Sequence, residues 1–79
     1  MKLLVRNLSR LTTEQEIHTL FSTHGSVTEC DLVLDQLTAK SKGFAFVEMP
    51  DDKEASAAMS ALHDEKVGNN RIRVKVAQN

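Results

Sequence analysis

Residues 43–49, Gly-Phe-Ala-Phe-Val-Glu-Met, carry the strongest strand pattern in the chain and constrain its fold most. Successive side chains of a strand point to opposite faces of a sheet, so Ala45 and Val47 share one face while Phe44 and Phe46 share the other. The small and aliphatic side chains already supply the core face. The two rings are therefore expected on an exposed face, where a large apolar patch marks a binding surface or a face that another element or a second copy covers.

Two capping boxes predict where two helices begin. Thr13-x-x-Glu16 is the first, and Asp51-x-x-Glu54 follows directly after Pro50, which ends the preceding strand. In such a box the first side chain and the last carboxylate each satisfy a free backbone N–H. Apolar residues repeat at helical spacing behind both boxes, at Ile17, Leu20 and Phe21, with His24 at the next position of the series, and at Ala55, Ala58, Met59 and Leu62.

Three further segments have the pattern of strands, at residues 2–8, 27–34 and 71–77. In the second of these strands, Cys30, Leu32 and Leu34 are expected to point inward. The last segment alternates strictly, which predicts an inward set of Ile72, Val74 and Val76 and an outward set of Arg71, Arg73 and Lys75. The polar connection before it has room for a small hairpin around Val67.

The resulting order, β-α-β-β-α-β, is that of the ferredoxin-like α+β sandwich. Two helices cover one face of a four-stranded antiparallel sheet, and the other face stays open. In this topology the first and third strands are central and the fourth lies beside the first. A chain of 79 residues has room for a single domain, which we assign to residues 1–79.

The charges are strongly sorted along the chain although they nearly cancel. The net charge of −1 gives no bulk argument for a nucleic-acid partner. However, residues 1–10 carry +3 and residues 66–79 carry +4, whereas residues 11–39 carry −5. Because the fold makes the two ends neighbours, Arg6, Arg71, Arg73 and Lys75 are expected to form a basic stripe on the open face. The alternative is that these cations are only solvated charges at the strand edges.

The chain lacks the residue groups that most enzymes and metal proteins need. Cys30 is the one cysteine, the three histidines have no metal-ligand spacing, and no glycine-rich phosphate loop exists. We therefore expect no catalytic residue, metal, cofactor or small-molecule substrate. The apolar start is too short for a signal peptide and no membrane-spanning run exists. The expectation is a cytoplasmic monomer with no membrane partner.

Two segments resemble the motifs of a known family. Residues 42–49, Lys-Gly-Phe-Ala-Phe-Val-Glu-Met, match seven of eight positions of the octamer motif of the RNA recognition motif, with Met49 in place of the final aromatic residue. Residues 3–8, Leu-Leu-Val-Arg-Asn-Leu, are similar to the family's hexamer motif. The resemblance covers nearly the whole chain, which looks like a small, single-domain RNA-binding protein of bacterial type.

This resemblance implies single-stranded RNA as the partner, with single-stranded DNA left open. Phe44 and Phe46 correspond to the residues that stack bases, and Lys42 to a phosphate contact. The hexamer contributes Asn7 and, at its usual stacking position, Leu4, which has no π face. We therefore expect weak binding of modest sequence specificity. An RNA-recognition-like module for protein–protein contacts is the alternative, and the missing groups oppose a ferredoxin-like enzyme or metal carrier.

Overall fold

The computed structural model describes residues 1–77, and its elements follow the predicted order, including the small hairpin expected around Val67. The two helices are α1, Glu14–Ser22, and α2, Asp52–Leu62. The strands are β1 Lys2–Arg6, β2 Glu29–Leu34, β3 Ser41–Glu48, β4 Lys66–Val67, β5 Asn70–Arg71 and β6 Arg73–Val76.

The main sheet has the strand order β2-β3-β1-β6, and all of its neighbours are antiparallel. The prediction that the first and third strands are central and that the two chain ends are neighbours is confirmed. Strands β4 and β5 form a separate two-stranded hairpin, in which Val67 pairs with Asn70. This is the ferredoxin-like α+β arrangement, and it leaves one face of the main sheet free of helices.

Both helices pack against the same face of the sheet and enclose a single apolar core. The core takes alternate residues of β1 and β3, and both helices contribute; its largest fully buried side chains are Phe21, Leu3, Ile17, Met49, Ile72, Val5 and Val47. At the start of α1 the capping box is complete, because Thr13 Oγ1 accepts from the Glu16 N–H and Glu16 Oε1 accepts from the Thr13 N–H.

The second predicted capping box is only half formed. Asp51 accepts from the backbone N–H groups of Lys53 and Glu54, as expected. The Glu54 carboxylate instead accepts from the Ser26 N–H at 3.0 Å. Its side chain passes so close to Gly25 that an added Cβ there would lie 2.6 Å from Glu54 Cβ. Glu54 therefore ties the loop after α1 to α2 rather than closing its own cap.

Strand β2 begins later than predicted and ends irregularly. It starts at Glu29 rather than residue 27, and its pairing with β3 shifts between Leu32 and Leu34. Cys30 and Leu32 pack against the core as expected, whereas Leu34 is 48% exposed. Leu34 pairs with the buried Ser41 and so keeps the predicted face, but it lies beyond the shift in register, at the end of an edge strand, and is not covered.

The predicted final strand, 71–77, is in fact divided between two sheets. Arg71 belongs to the hairpin strand β5, and only Arg73–Val76 joins the main sheet. Ile72 and Val74 are buried as expected, and Val76 pairs with the buried Leu3 and so keeps the predicted face, although 42% of it is exposed. Val76 is the last residue of an edge strand, so it has a neighbouring strand on one side alone.

Candidate nucleic-acid interface

Phe44 and Phe46 lie on the helix-free face of β3, a central strand. Both rings are half-buried, and the residues between and after them, Ala45 and Val47, are fully buried on the other face. The ring centroids are 6.1 Å apart and the planes meet at 86°, an edge-to-face pair. The prediction that two aromatic rings lie together on the open face is confirmed.

One row of paired residues crosses the whole open face at Phe46. Phe46 pairs with Asp31 of β2 on one side and with Leu4 of β1 on the other, and Leu4 pairs in turn with Lys75 of β6. Residues directly opposite in a sheet share a face. The row therefore runs from a cation through an aliphatic side chain and a ring to a carboxylate, and Lys75 and Leu4 line an open cavity of about 460 Å³ beside the ring.

The next row brings two arginines together. Arg6 of β1 pairs directly with Arg73 of β6, and both side chains are exposed. Like charges directly opposite in a sheet destabilise it. Within residues 1–77 neither guanidinium belongs to an ion pair. The pair is thus a concentrated positive charge at the basic half of the open face.

A cleft of about 620 Å³ lies beside Phe44 at the end of the sheet. Arg6, Arg10 and Lys42 give it three cations, and Asn7 and Asn70 also line it. Gly43 has φ +87°, and a Cβ there would lie 3.2 Å from Arg10 Nε, so glycine lets the arginine approach β3. Arg10 Nη1 donates to the Ser41 carbonyl at 3.3 Å, which holds this side chain against the cleft.

Two cations beside the rings, Arg10 in this cleft and Lys2 on β1, were not among the predicted site residues. Arg10 counts toward the basic start of the chain, but its contact with β3 follows from a loop whose path the local pattern does not give. Lys2 shares a strand face with Leu4 and Arg6, so alternation alone could have identified it. Its Nζ lies 5.6 Å from the centroid of the Phe46 ring, within the range of a cation–π contact.

Asn7 and Arg71 join the hairpin to the end of β1. Asn7 Nδ2 donates to the Arg71 carbonyl at 2.8 Å, and the Asn7 carbonyl accepts from Asn70 Nδ2 at 3.2 Å. The Arg71 guanidinium donates to the Asp64 carbonyl at 3.2 Å. Arg71 therefore stands apart from Arg73 and Lys75, with which the sequence had grouped it.

The loop between β2 and β3 is ordered by Asp35. Its carboxylate accepts from the backbone N–H groups of Leu37, at 2.8 Å, and Thr38, at 3.0 Å. The hydrogen bonds from Thr38 and then Leu37 lower the pKa of the Asp35 carboxyl below its usual value. This loop leads into Lys42, so it fixes the start of the strand that carries both rings.

Residues 1–77 hold no group of three or more His, Cys, Asp or Glu side chains arranged to bind a metal ion. Over the same residues, neither helix is long and apolar enough to cross a membrane. Cys30 packs against the core, and partial burial raises the pKa of its thiol to about 11, with smaller contributions from Glu14 and Asp31.

These features define an α+β domain with an open sheet face that bears paired aromatic rings beside clustered cations. Residues 3–73 match the family model described as RNA recognition motif, and the chain belongs to that family.

Known proteins resemble both the sequence and the fold. The chain is 40% identical over 76 residues to glycine-rich RNA-binding protein 1 of Mycosarcoma maydis, covering 96% of this chain and 43% of that protein. It therefore spans less than half of that relative. The crystal structure of RNA-binding protein PG1 matches with a TM-score of 0.96 and 33% identity, covering 100% of this chain and 95% of that one. A Sex-lethal protein–RNA complex matches with a TM-score of 0.94 and 29% identity, covering 99% and 47%.

Proposed function

We propose that the open face of the sheet binds single-stranded RNA. Bases stack on Phe44 and Phe46, and phosphates pair with the surrounding cations, Arg6, Arg73, Lys75 and Lys42. The observation that carries the proposal is the edge-to-face ring pair on a helix-free central strand, with the Arg6–Arg73 pair beside it. Rings flanked by cations are what an unpaired strand requires, because its bases offer flat faces and its backbone offers phosphates.

The arginine pair supports a polyanionic partner. Two guanidinium groups held opposite each other repel, and an anion placed between them relieves this repulsion. Lys75 and Lys42 extend the positive charge from this pair along β6 and toward the cleft beside Phe44. A phosphodiester backbone, with one negative charge per nucleotide, is matched to such a series of cations.

Leu4 supports modest affinity. It lies directly opposite Phe46, where it offers an aliphatic surface and no ring. Stacking on an aromatic side chain is worth about 1–3 kcal/mol per base. With two rings rather than three, we expect weak binding of short RNAs. The RNA-binding relative and the Sex-lethal RNA complex favour RNA over DNA as the partner.

Asn7 and Arg71 contribute to this function by position. Asn7 holds the hairpin to the end of β1, and the hairpin leads directly into β6. Their role in RNA binding is thus to keep Arg73 and Lys75 beside Arg6.

The test replaces each ring by leucine, the side chain that the protein itself has at position 4. Phe44→Leu and Phe46→Leu keep an apolar surface and remove the π face. Each is expected to weaken binding of a short single-stranded RNA about tenfold at low salt, measured by fluorescence anisotropy. In an NMR titration of the unmodified protein, the largest shifts should fall on Arg6, Lys42, Phe44, Phe46 and Arg73.

Gln15→Ala is the matched control, because Gln15 is exposed on the helix layer, and it should leave affinity unchanged. Circular dichroism of all three variants checks that the fold is retained. If both leucine variants bind RNA as tightly as the unmodified protein, stacking on these rings is wrong. Shifts confined to the helices would instead point to the helix layer as the binding surface.

A further inference from the structure

The only carboxylate paired directly with either ring, among residues 1–77, belongs to Asp31. It is the partner of Phe46 on β2, and its side chain is exposed on the open face. Within the same residues this carboxylate accepts no hydrogen bond and forms no ion pair, so all of its acceptor sites are free. Glu48, in the next row, is instead paired with the Met1 ammonium at 3.1 Å.

A carboxylate beside a stacking ring repels phosphate but attracts the N–H groups of a base. The row through Phe46 therefore has opposite charges at its two ends. Lys75 is at one end and Asp31 at the other, three strand spacings or about 14 Å away. These charges would orient a nucleotide stacked on Phe46. Its phosphate would lie toward Lys75, across the cavity beside Leu4, and its base edge would face Asp31.

Resting on the proposed function, we propose that Asp31 is a specificity-determining residue that selects guanine at the Phe46 position. An ionised carboxylate offers acceptors alone, two oxygens side by side. Guanine presents two adjacent donors, N1–H and N2–H, which allow a bidentate contact. Adenine and cytosine each place a ring-nitrogen acceptor beside their amino group, and uracil places its one N–H between two carbonyls.

The test compares RNAs of uridine alone with RNAs in which one central uridine is replaced by guanosine, adenosine, cytidine or inosine. The guanosine RNA should bind the unmodified protein about tenfold more tightly than the uridine RNA, by fluorescence anisotropy. Inosine lacks the N2 amino group, so most of this gain should be lost. Asp31→Asn presents one donor and one acceptor, and should shift the preference from guanine to adenine or cytosine.

Glu29→Gln is the matched control. It removes the same charge from the same strand but lies opposite Glu48, one row from the ring. It should strengthen binding of all five RNAs alike and keep the guanine preference. If the five RNAs bind equally, or if Asp31→Asn retains the guanine preference, the inference is overturned while the proposed function stands. If none of the RNAs binds or shifts the signals of Phe44 and Phe46, both are overturned.

Discussion

In each of the two edge strands of the sheet, β2 and β6, a backbone N–H donates to a side chain from a helix end, but the two strands carry opposite charges. On β2 the Leu32 N–H donates to the Glu14 carboxylate at 3.0 Å, and on β6 the Val74 N–H donates to His63 Nδ1 at 3.1 Å. Both acceptors come from helix ends, at the first residue of α1 and the C-cap of α2. Satisfying an edge N–H from within the molecule discourages pairing with another chain.

The open-face side chains of these edges differ completely. Strand β2 presents Glu29 and Asp31, whereas β6 presents Arg73 and Lys75. Because the edges are protected from the helix side, their open-face residues do not have to protect them and are free to differ. A net charge of −1 is therefore compatible with a sheet that has an acidic and a basic half, and the phosphates of a bound strand should follow the basic half.

Neutralising the basic edge is expected to have the largest effect on binding. Arg73→Gln combined with Lys75→Gln removes two of the proposed phosphate contacts, which should weaken binding of a uridine RNA roughly fiftyfold at about 50 mM salt. The slope of log affinity against log salt should also become shallower by about 1.4. Fluorescence anisotropy across a salt series measures both quantities.

The acidic edge gives the matched comparison. Glu29→Gln combined with Asp31→Asn removes two charges of the opposite sign from β2, and should strengthen binding of the same uridine RNA a few-fold, by about 1 kcal/mol or less. A loss of affinity with this pair, or an unchanged salt slope with the β6 pair, would show that the phosphates do not follow the basic half.

The two side chains that accept from the sheet edges, His63 and Glu14, should differ in their contribution to stability. The Val74 N–H is partly buried, so His63→Ala leaves it without an acceptor and should lower the free energy of unfolding by about 2 kcal/mol. The Leu32 contact is exposed, and water can replace the Glu14 carboxylate. Glu14→Ala should therefore lower the free energy of unfolding by about 1 kcal/mol or less. Urea denaturation measures both values.

His18→Ala controls for the loss of a histidine, since His18 is exposed on α1 and its hydrogen-bond partner is Ser22 of the same helix. It should change the free energy of unfolding little. Amide hydrogen exchange locates the effects, with Val74 less protected in His63→Ala and Leu32 less protected in Glu14→Ala. Equal destabilisation by these two variants would contradict the difference in burial.

The open face was largely predictable because it depends on local alternation. The placement of Phe44 and Phe46 follows from the period of two in β3, a central strand whose pairing with β1 is regular. Leu34 and Val76 also keep the predicted facing, opposite Ser41 and Leu3, but both lie at the ends of edge strands and stay exposed. A sequence period predicts the facing of a side chain, whereas its burial also depends on whether a helix or a neighbouring strand covers it.

Contacts between residues distant in sequence were not predictable from local patterns. Glu54 accepts from Ser26 across 28 residues, and Arg10 reaches Ser41 across 31. Asn7 and Arg71 are 64 residues apart, and their contact separates Arg71 from the basic strand with which alternation had grouped it. Each of these contacts depends on where loops meet after folding, which side-chain spacing along one element does not encode.

The thiol pKa of Cys30 reports the negative electrostatic potential of the acidic edge, and a change at Asp31 should alter it only slightly. Burial, then Glu14, then Asp31 raise the pKa of its thiol from 9.0 to about 11. The folded protein thus holds the thiol proton more tightly than the unfolded chain, so this group's contribution to stability is complete below pH 9 and declines as the pH rises toward about 11.

Asp31→Asn should lower the thiol pKa slightly, because Asp31 is the smallest of the three causes, whereas Arg73→Gln on the opposite edge should leave it unchanged. The pH dependence of thiolate absorbance in the ultraviolet measures the midpoint, and a midpoint near 9.0 in the folded protein would contradict both the burial and the acidic surroundings of Cys30.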